Sequence, residues 1–295
     1  MNISFEYYRI FYYVAKYENI TKAAMVLKSS QPNVTRIIHL LEDQLDCRLF
    51  LREPRGLKLT EEGKRLYDHV AIACQHLLDA EAELCWNKNI CSGTIELGVT
   101  ETALHLFLLK HLHGFQQKYS DIKIRIQNNT TPGILKALLN GRLDLAIVTT
   151  PFELNDTFAC EDLMTFREVP AGGSEYRALA DHPMSLKEFR FHSIIGLGYG
   201  TASYEYYRKV FMEQKLDYEP AMEVATADLV IPLLQNNLGV GFIPEPLAAP
   251  FFEDQSLVPL SLNVPLPSRD VKMLWDKSLS QSRAAATFCD YLRSL

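Results

Sequence analysis

A break between two short helical patterns, Thr21–Leu27 and Gln31–Leu45, constrains the fold of this chain more than any other stretch. The first pattern contains Ala23 and Ala24, small residues that allow a second helix to approach closely. In the second, apolar residues recur at the i, i+3, i+4, i+7 spacing of a helix with one buried face. They are Val34, Ile37, Ile38, Leu41 and Leu45. A serine in the break is a suitable N-cap, and Pro32 fits the first turn, where a missing N–H costs nothing. The stretch therefore predicts a helix-turn-helix.

The first turn of the second helix presents polar side chains on the face opposite its apolar residues. Gln31, Asn33, Thr35 and Arg36 can bond base edges and phosphates. A helix that presents such groups after a short helix and turn has the geometry of a recognition helix in a major groove. The alternative is an amphipathic surface helix in an ordinary helical domain, because helix-turn-helix patterns also occur by chance.

A basic turn after the second helix favours DNA binding. Arg52, Arg55 and Lys58 lie around Gly56, between apolar anchors, which suits a wing laid along a phosphate backbone. Residues 1–58 hold nine Lys and Arg against six Asp and Glu, although the whole chain has a formal net charge of −6. The small positive excess therefore lies where DNA binding is predicted, and firm binding would need two or more copies.

An uninterrupted helical pattern runs from Thr60 to Asn89. Thr60 is a suitable N-cap, and Glu61 and Glu62 occupy the first turn, where carboxylates favour the helix dipole. Apolar residues then repeat at alternating spacings of four and three, as in a coiled-coil seam. They are Leu66, Val70, Ala73, Leu77, Ala80 and Leu84. This pattern favours a dimer seam over a helix packed within one domain, and residues 86–92 are then a hinge.

From Gly93 onwards the predicted strands and helices alternate in an α/β layout with parallel connections. The chain is predicted to cross between two α/β lobes near Glu161–Val169 and to return near Val264–Asp270. The predicted domains are 1–59 for the helix-turn-helix and wing, 60–91 for the linker helix and hinge, and 92–295 for the α/β domain. Within the α/β domain, one lobe comprises 92–162 and 268–295, and the other comprises 163–267.

Hydroxyl side chains cluster where the predicted strands end and helices begin. They are Thr100, Thr102, Thr130, Thr131, Thr149, Thr150, Thr201 and Ser203. Ligands of open α/β sheets bind at these strand ends, where helix N-termini offer free N–H groups to an anion. Each hydroxyl alone is more simply a helix cap, and their recurrence is what favours a cleft. Tyr199 lies in the loop Gly196–Gly200 at the same rim, so an aromatic or planar acid is conceivable.

The stretch from Phe5 to Leu66 resembles the winged helix-turn-helix of the LysR-type transcriptional regulators. The most specific matches are Ala23-Ala24, Ser30-Gln31-Pro32, Arg48-Leu49-Phe50 and Leu59-Thr60-Glu61-Glu62-Gly63. Asn33 and Val34 stand where the family often has Ala-Leu, and Thr35 replaces a frequent serine. The chain length and later layout also fit, so the resemblance covers nearly all 295 residues.

The resemblance implies a DNA-binding transcriptional regulator with an N-terminal all-α winged helix-turn-helix, a long linker helix and a two-lobed, periplasmic-binding-protein-like effector domain. The linker helix would pair two subunits into a homodimer, extended to a homotetramer by the effector domains. The DNA-binding residues would be Thr21, Ser30, Gln31, Pro32, Asn33, Thr35, Arg36, Arg52 and Arg55. A small anionic effector would bind between the lobes at Thr100, Thr102, Thr131, Thr149 and Thr201, with Tyr199 at the rim.

Other functions fit the sequence less well. The GLGYG loop lacks the GxGxxG spacing of a dinucleotide site, so no cofactor is expected. His111 and His113 would point to different faces of one helix, which argues against a metal site. No triad or paired-carboxylate arrangement can be recognised, so catalysis is not predicted. The alternatives are a cytoplasmic solute-binding protein without a DNA-binding role and an enzyme on the same α/β scaffold.

The cellular setting follows from cysteine usage and hydropathy. Six cysteines form no CxxC pair, which is typical of reduced thiols in a cytoplasm, and a redox-sensing pair stays open as an alternative. No apolar run approaches the ~18 residues of a membrane span, so no membrane partner is expected.

Overall fold

A computed structural model of the chain describes residues 3–53, 56–85, 93–279 and 281–295. The chain divides into two compact units, Met1–Lys88 and Asn89–Leu295. No helix in the described ranges is both long and apolar enough to cross a membrane.

The first unit places helices around a small core, with a two-stranded antiparallel wing after the third helix. Its elements are α1 (Phe5–Tyr17), α2 (Ile20–Val26), α3 (Gln31–Leu45), β1 (Phe50–Glu53), β2 (Gly56–Leu59) and α4 (Glu61–Cys85). The Asn19 and Ser30 side chains cap α2 and α3 by accepting from the N–H groups of Lys22 and Asn33, at 3.0 and 3.4 Å. The predicted helix-turn-helix is confirmed.

The core of this unit explains the small pair in α2 and the aromatic character of α1. Ala23 and Ala24 are buried, and α1 and α3 supply fully buried side chains such as Phe11 and Leu41. Small residues in α2 therefore let these larger side chains meet beneath it.

The first half of α4 belongs to the same core, which corrects part of the predicted dimer seam. Val70 and Cys74 are buried in this core, and the Tyr67 ring stacks on Tyr12 with centroids 6.0 Å apart. Since α1 exposes an aromatic face that must be covered, α4 packs on its own domain there. Farther along the helix, Leu77 is 48% exposed. The predicted hinge at residues 86–92 lies outside the described residues.

The second unit contains two five-stranded sheets, one in each lobe. The lobe I sheet has the order β4-β3-β5-β12-β6, and the lobe II sheet has the order β11-β7-β10-β8-β9. The strands are β3 (Gly93–Val99), β4 (Ile122–Asn128), β5 (Leu145–Thr149), β6 (Phe158–Phe166), β7 (Glu168–Gly172), β8 (Ile194–Leu197), β9 (Met222–Val224), β10 (Val240–Pro244), β11 (Val258–Pro259) and β12 (Arg269–Asp276).

Helices cover both sheets. They are α5 (Glu101–Ala103), α6 (Leu109–Lys118), α7 (Thr131–Leu139), α8 (Leu186–Phe189), α9 (Ala202–Glu213), α10 (Val230–Gln235), α11 (Glu245–Glu253) and α12 (Arg283–Arg293). A π-helical turn, Leu104–Leu108, joins α5 to α6, and a 3₁₀ turn, Ala227–Leu229, precedes α10. Phe115 and Phe288 lie in the lobe I core, and Phe211 and Phe242 in the lobe II core.

Both sheets are mixed, so the prediction of parallel connections holds only for some strands. β3 runs parallel to β4 and β5, and β8 runs parallel to β9 and β10. The strands next to the lobe crossings, β7 and β12, pair antiparallel to their neighbours. The chain leaves the lobe I sheet after Phe166, inside the predicted first crossing, because β6 stays paired with β12 to that point. It returns at Arg269, inside the predicted second crossing.

Candidate functional site

The start of α3 carries an exposed polar surface. Gln31, Pro32 and Arg36 are exposed there, and the Thr21 hydroxyl on α2 lies 3.5 Å from Gln31 Oε1 across the turn. The Arg36 guanidinium donates to Asn33 Oδ1 at 3.1 Å, which holds it along this face. The helix-turn-helix therefore brings side chains of α2 and α3 onto one surface.

The hydroxyls near the turn have structural roles. Ser30 is the N-cap of α3, and the Thr35 hydroxyl donates to the Gln31 carbonyl oxygen at 3.0 Å. The shallow groove along α3 also includes residues that were not predicted, namely His39, Leu40 and Asp43. Among the predicted wing residues, Arg52 lies in β1 and Arg55 lies outside the described residues.

The cleft between the lobes of the second unit is a cavity of about 310 Å³. Thr100, Thr102, Thr131, Thr149 and Thr201 line it together with Glu101, Asn128, Asn129, Thr130, Leu197, Ala202, Ser203, Ala225, Thr226 and Ala227. The structure thus brings five of the six predicted effector residues together. Tyr199 is 81% exposed and is not among the lining residues.

Two of these predicted threonines donate their hydroxyl protons to acceptors within the protein. Thr201 accepts from the Tyr204 N–H at 3.1 Å and donates to the Gly198 carbonyl oxygen at 2.9 Å, so it caps α9. The Thr131 hydroxyl donates to the Thr149 carbonyl oxygen at 3.4 Å. These bonds shape the cleft wall and leave fewer groups for a ligand.

Thr100 differs from these residues. It is only 8% exposed, and its Oγ1 has no hydrogen-bond partner within the described part of the chain. It is the N-cap of α5, yet it makes no side-chain cap bond. A buried hydroxyl without a partner costs free energy, so this oxygen is placed for a ligand or water to satisfy.

The charged groups around the cleft are an acidic rim residue and a buried ion pair. The Glu101 carboxylate is 2.6 Å from His105 Nε2 and 2.5 Å from Asn128 Nδ2. Behind the lining residues, Arg269 Nη1 donates to Glu168 Oε1 at 2.5 Å, and both side chains are 1% exposed. Burial raises the pKa of Glu168, and the neighbouring guanidinium opposes that rise.

Arg269 also contacts both lobes. Its Nη2 donates to Thr149 Oγ1 at 3.3 Å and its Nε to the Thr150 carbonyl oxygen at 2.7 Å, both in lobe I. Its Nη1 donates to Ser203 Oγ at 3.0 Å in lobe II. The guanidinium carbon lies 5.0 Å from the Tyr206 ring centroid, a cation–π distance.

Sequence reasoning missed several lining residues for identifiable reasons. Asn128 ends β4 and Asn129 follows it directly, so the same strand-end argument that selected the threonines could have found them. Thr226 precedes a helical turn in the same way. No local sequence feature marks Arg269, because its hydrogen bond to Thr149 joins residues that are 120 positions apart in the sequence.

Family models match both units of the chain. The model of the LysR substrate binding domain matches residues 91–295, and the model of the bacterial regulatory helix-turn-helix protein, lysR family, matches residues 5–64. The HTH-type transcriptional regulator YofA of Bacillus velezensis is 25% identical over 289 residues, covering 97% of this chain and 96% of that protein.

Solved structures share the fold. The probable transcriptional regulator PA0477 from Pseudomonas aeruginosa has a TM-score of 0.70 at 17% identity, covering 99% of this chain and 97% of that one. CbnR, a LysR family transcriptional regulator, has a TM-score of 0.68 at 16% identity, covering 99% and 98%.

A helix-turn-helix unit followed in the chain by a two-lobed effector-binding unit defines a DNA-binding regulator that responds to a small molecule. The chain belongs to the LysR family of transcriptional regulators. The match at residues 5–64 decides against the alternative of a solute-binding protein without a DNA-binding role.

Proposed function

We propose that this regulator reads its operator through the first turn of α3 and the wing, and that a small anionic effector binds in the cleft between the lobes. The observation that carries the effector part is the buried Thr100 hydroxyl, which lines the cleft and has no hydrogen-bond partner in the described ranges. The exposed polar surface on α3 supports the DNA part.

The DNA-binding part assigns base or phosphate contacts to the predicted set. It comprises Thr21, Ser30, Gln31, Pro32, Asn33, Thr35, Arg36, Arg52 and Arg55. Gln31 and Arg36 are the strongest candidates for base contacts, because both are exposed and their side chains reach beyond the helix. Ser30 and Thr35 act first by fixing the start of α3.

Arg36→Ala tests this placement. If Arg36 reads a base, specific binding weakens by about 1–3 kcal/mol while nonspecific binding changes less. Arg9→Ala is the matched control, because Arg9 is an exposed arginine that pairs with Glu6 on α1. Fluorescence anisotropy with operator and scrambled DNA measures both affinities. Equal losses in the two variants would contradict the assignment.

The effector part assigns ligand contacts to the lining threonines, with Thr100 as the central one. Thr102 and Thr149 line the same cavity, whereas Thr131 and Thr201 contribute mainly by shaping its wall. Tyr199 is exposed at the rim loop and is the weakest member of the predicted set. Neutral hydroxyl and N–H donors can satisfy a carboxylate without a cation in the cleft.

Thr100→Val tests the cleft. The change preserves shape and removes the hydroxyl, so it should abolish the stabilisation of the full chain by small carboxylates in thermal-shift measurements. Thr94→Val is the matched control, since Thr94 lies near the start of β3 and Thr100 directly follows the end of that strand. If Thr100→Val responds like the wild type, the ligand binds elsewhere.

We further propose a homodimer formed through the second half of α4, extended to a tetramer by the effector domains. The apolar Leu77, 48% exposed, supports this, because it belongs to the predicted seam and is not covered by the core of its own domain. The regulator is proposed to act in the cytoplasm, where its DNA target lies, and to have no catalytic activity of its own.

A further inference from the structure

We propose that Arg269 is a positioning residue that turns the hydroxyls of Thr149 and Ser203 into obligatory donors, so that the cleft selects an effector group that accepts a hydrogen bond from both lobes at once. This inference rests on the proposed effector site and specifies which chemical group it recognises. It concerns a residue one layer behind the cleft wall.

The hydrogen-bond chemistry of arginine carries the first step. A guanidinium donates five N–H bonds, accepts none and keeps its charge in proteins. When it donates to a hydroxyl oxygen, that hydroxyl must direct its own proton elsewhere. Arg269 donates to Thr149 Oγ1 at 3.3 Å and to Ser203 Oγ at 3.0 Å. Both hydroxyl protons are therefore turned away from Arg269.

The surroundings of the two hydroxyls carry the second step. Within the described ranges, neither hydroxyl donates to a protein acceptor, and both residues line the cleft. Thr149 ends β5 of lobe I, and Ser203 lies in the first turn of α9 in lobe II. An acceptor in the cleft can therefore bond a donor from each lobe.

The buried charge carries the third step. The Arg269 guanidinium polarises the Thr149 and Ser203 hydroxyls, and hydrogen bonds from polarised hydroxyls are stronger in a low-dielectric site. Arg269 is paired with Glu168 and held between the lobes by the Thr150 carbonyl and the Tyr206 ring, so it stays behind the wall. The cleft thus favours carboxylate oxygens over a cationic group, although the charged residue in its lining is the acidic Glu101.

The test uses the full chain and a defined probe series. Straight-chain carboxylates from acetate to hexanoate are compared with their primary amides and amines, at millimolar concentration, by calorimetry and thermal shift. The wild type is expected to bind the carboxylate more tightly than its amide by about tenfold, the loss typical of one charged hydrogen bond. The amine is expected not to bind.

The key variant is the double substitution Arg269→Met with Glu168→Met. Removing Arg269 alone would leave Glu168 buried and uncompensated, whereas an apolar pair of similar size is generally tolerated. The double variant is expected to keep its fold, as checked by circular dichroism, and to lose the preference for carboxylate over amide. If Arg269 had a purely structural role, the double variant would bind the carboxylate and the amide more weakly by the same factor. The ratio of the two dissociation constants is therefore the decisive readout.

Thr149→Val and Ser203→Ala are each made in the wild type and in the double variant, which gives a mutant cycle. Each is expected to reduce the carboxylate preference in the wild type and to have no further effect in the double variant, because Arg269 acts through these hydroxyls. Additive losses in both backgrounds would overturn the proposal.

The remaining outcomes separate this inference from the proposed effector site. If Thr100→Val abolishes carboxylate binding while the double variant keeps its preference, the site stands and the role of Arg269 is overturned. If the wild type binds carboxylates no better than amines, the proposed anionic effector and the role of Arg269 are both overturned.

Discussion

The Glu42 carboxylate, near the end of α3, accepts a hydrogen bond from the Leu49 backbone N–H at 2.8 Å, just before the first strand of the wing. The same oxygen accepts from the Phe50 N–H at 3.3 Å, and the other oxygen accepts from Arg48 Nη1 at 2.8 Å. Glu42 is 4% exposed, so its carboxylate is a buried link between α3 and the wing, while the Arg48 side chain at its edge is 69% exposed. It fixes the two proposed DNA-contacting elements relative to each other.

Glu42→Gln should loosen this link. The amide loses the charge that strengthens the bonds from Leu49 and Arg48, so the N-terminal unit should lose about 1–3 kcal/mol of stability. Hydrogen exchange of the α1 and α3 amides measures this loss without requiring two-state unfolding of the whole chain. Glu61→Gln, at an exposed ion pair with Lys64, should change little. Equal effects of both variants would contradict the link.

The same carboxylate predicts a dependence on pH. Burial alone would raise the pKa of Glu42, but hydrogen bonds from Leu49, Arg48 and Phe50 together hold the pKa below its ordinary value of 4.5. The folded-state pKa is depressed, so the stabilisation is present above pH 4.5 and is lost as pH falls through the folded-state pKa. The difference in stability between the wild type and Glu42→Gln should therefore be constant near neutrality and should shrink below pH 4.5. Hydrogen exchange rates, corrected for their intrinsic dependence on pH, measure this difference.

Gly63→Ala should destabilise the N-terminal unit. A Cβ at position 63 would lie 2.2 Å from the Leu49 carbonyl oxygen, so backbone must move. The expected cost is about 1–3 kcal/mol, larger than the gain of ~0.5–1 kcal/mol from placing alanine in a helix. Glu62→Ala, at the neighbouring exposed position of α4, is the control and should be nearly neutral. A stabilised Gly63→Ala variant would show that α4 can shift freely.

Leu77→Asp should weaken self-association. A carboxylate placed in the proposed seam of α4 would be buried on dimerisation at considerable cost. Leu139→Asp is the matched control, because Leu139 on α7 is 47% exposed and Leu77 is 48% exposed. Sedimentation velocity measures the dimer fraction of each. A monomeric wild type, or equal dissociation of both variants, would count against the seam.

Cys289 should be inert in the folded protein. It is fully buried, and burial raises its pKa to about 11. About one thiol in a thousand would then be thiolate at pH 8, and thiolate is the reactive form. Iodoacetamide followed by peptide mass spectrometry should label Cys289 only after denaturation, with the partly exposed Cys47 labelled faster. Rapid native labelling would favour the redox alternative for this thiol.

The sequence by itself determined the elements that depend on neighbours along the chain. Apolar spacing in α3, the serine cap at Ser30 and the Ala23-Ala24 pair are local features, and they were enough to predict the helix-turn-helix. The recurrence of hydroxyls at strand ends likewise located the cleft, because parallel strands bring their carboxyl ends to one edge.

Only the tertiary structure decided how those residues are used. It assigned Val70 to the core of its own domain and used Thr201 as a cap. It also left the Thr100 hydroxyl without a hydrogen-bond partner among the described residues, and it placed Arg269 behind Thr149 across 120 residues of sequence. Periodicity reports which face of a helix is apolar, but it does not report what covers that face. A hydroxyl can cap a helix or face a ligand with equal local propensity, and the choice depends on which distant donors and acceptors the folded chain brings within hydrogen-bond distance.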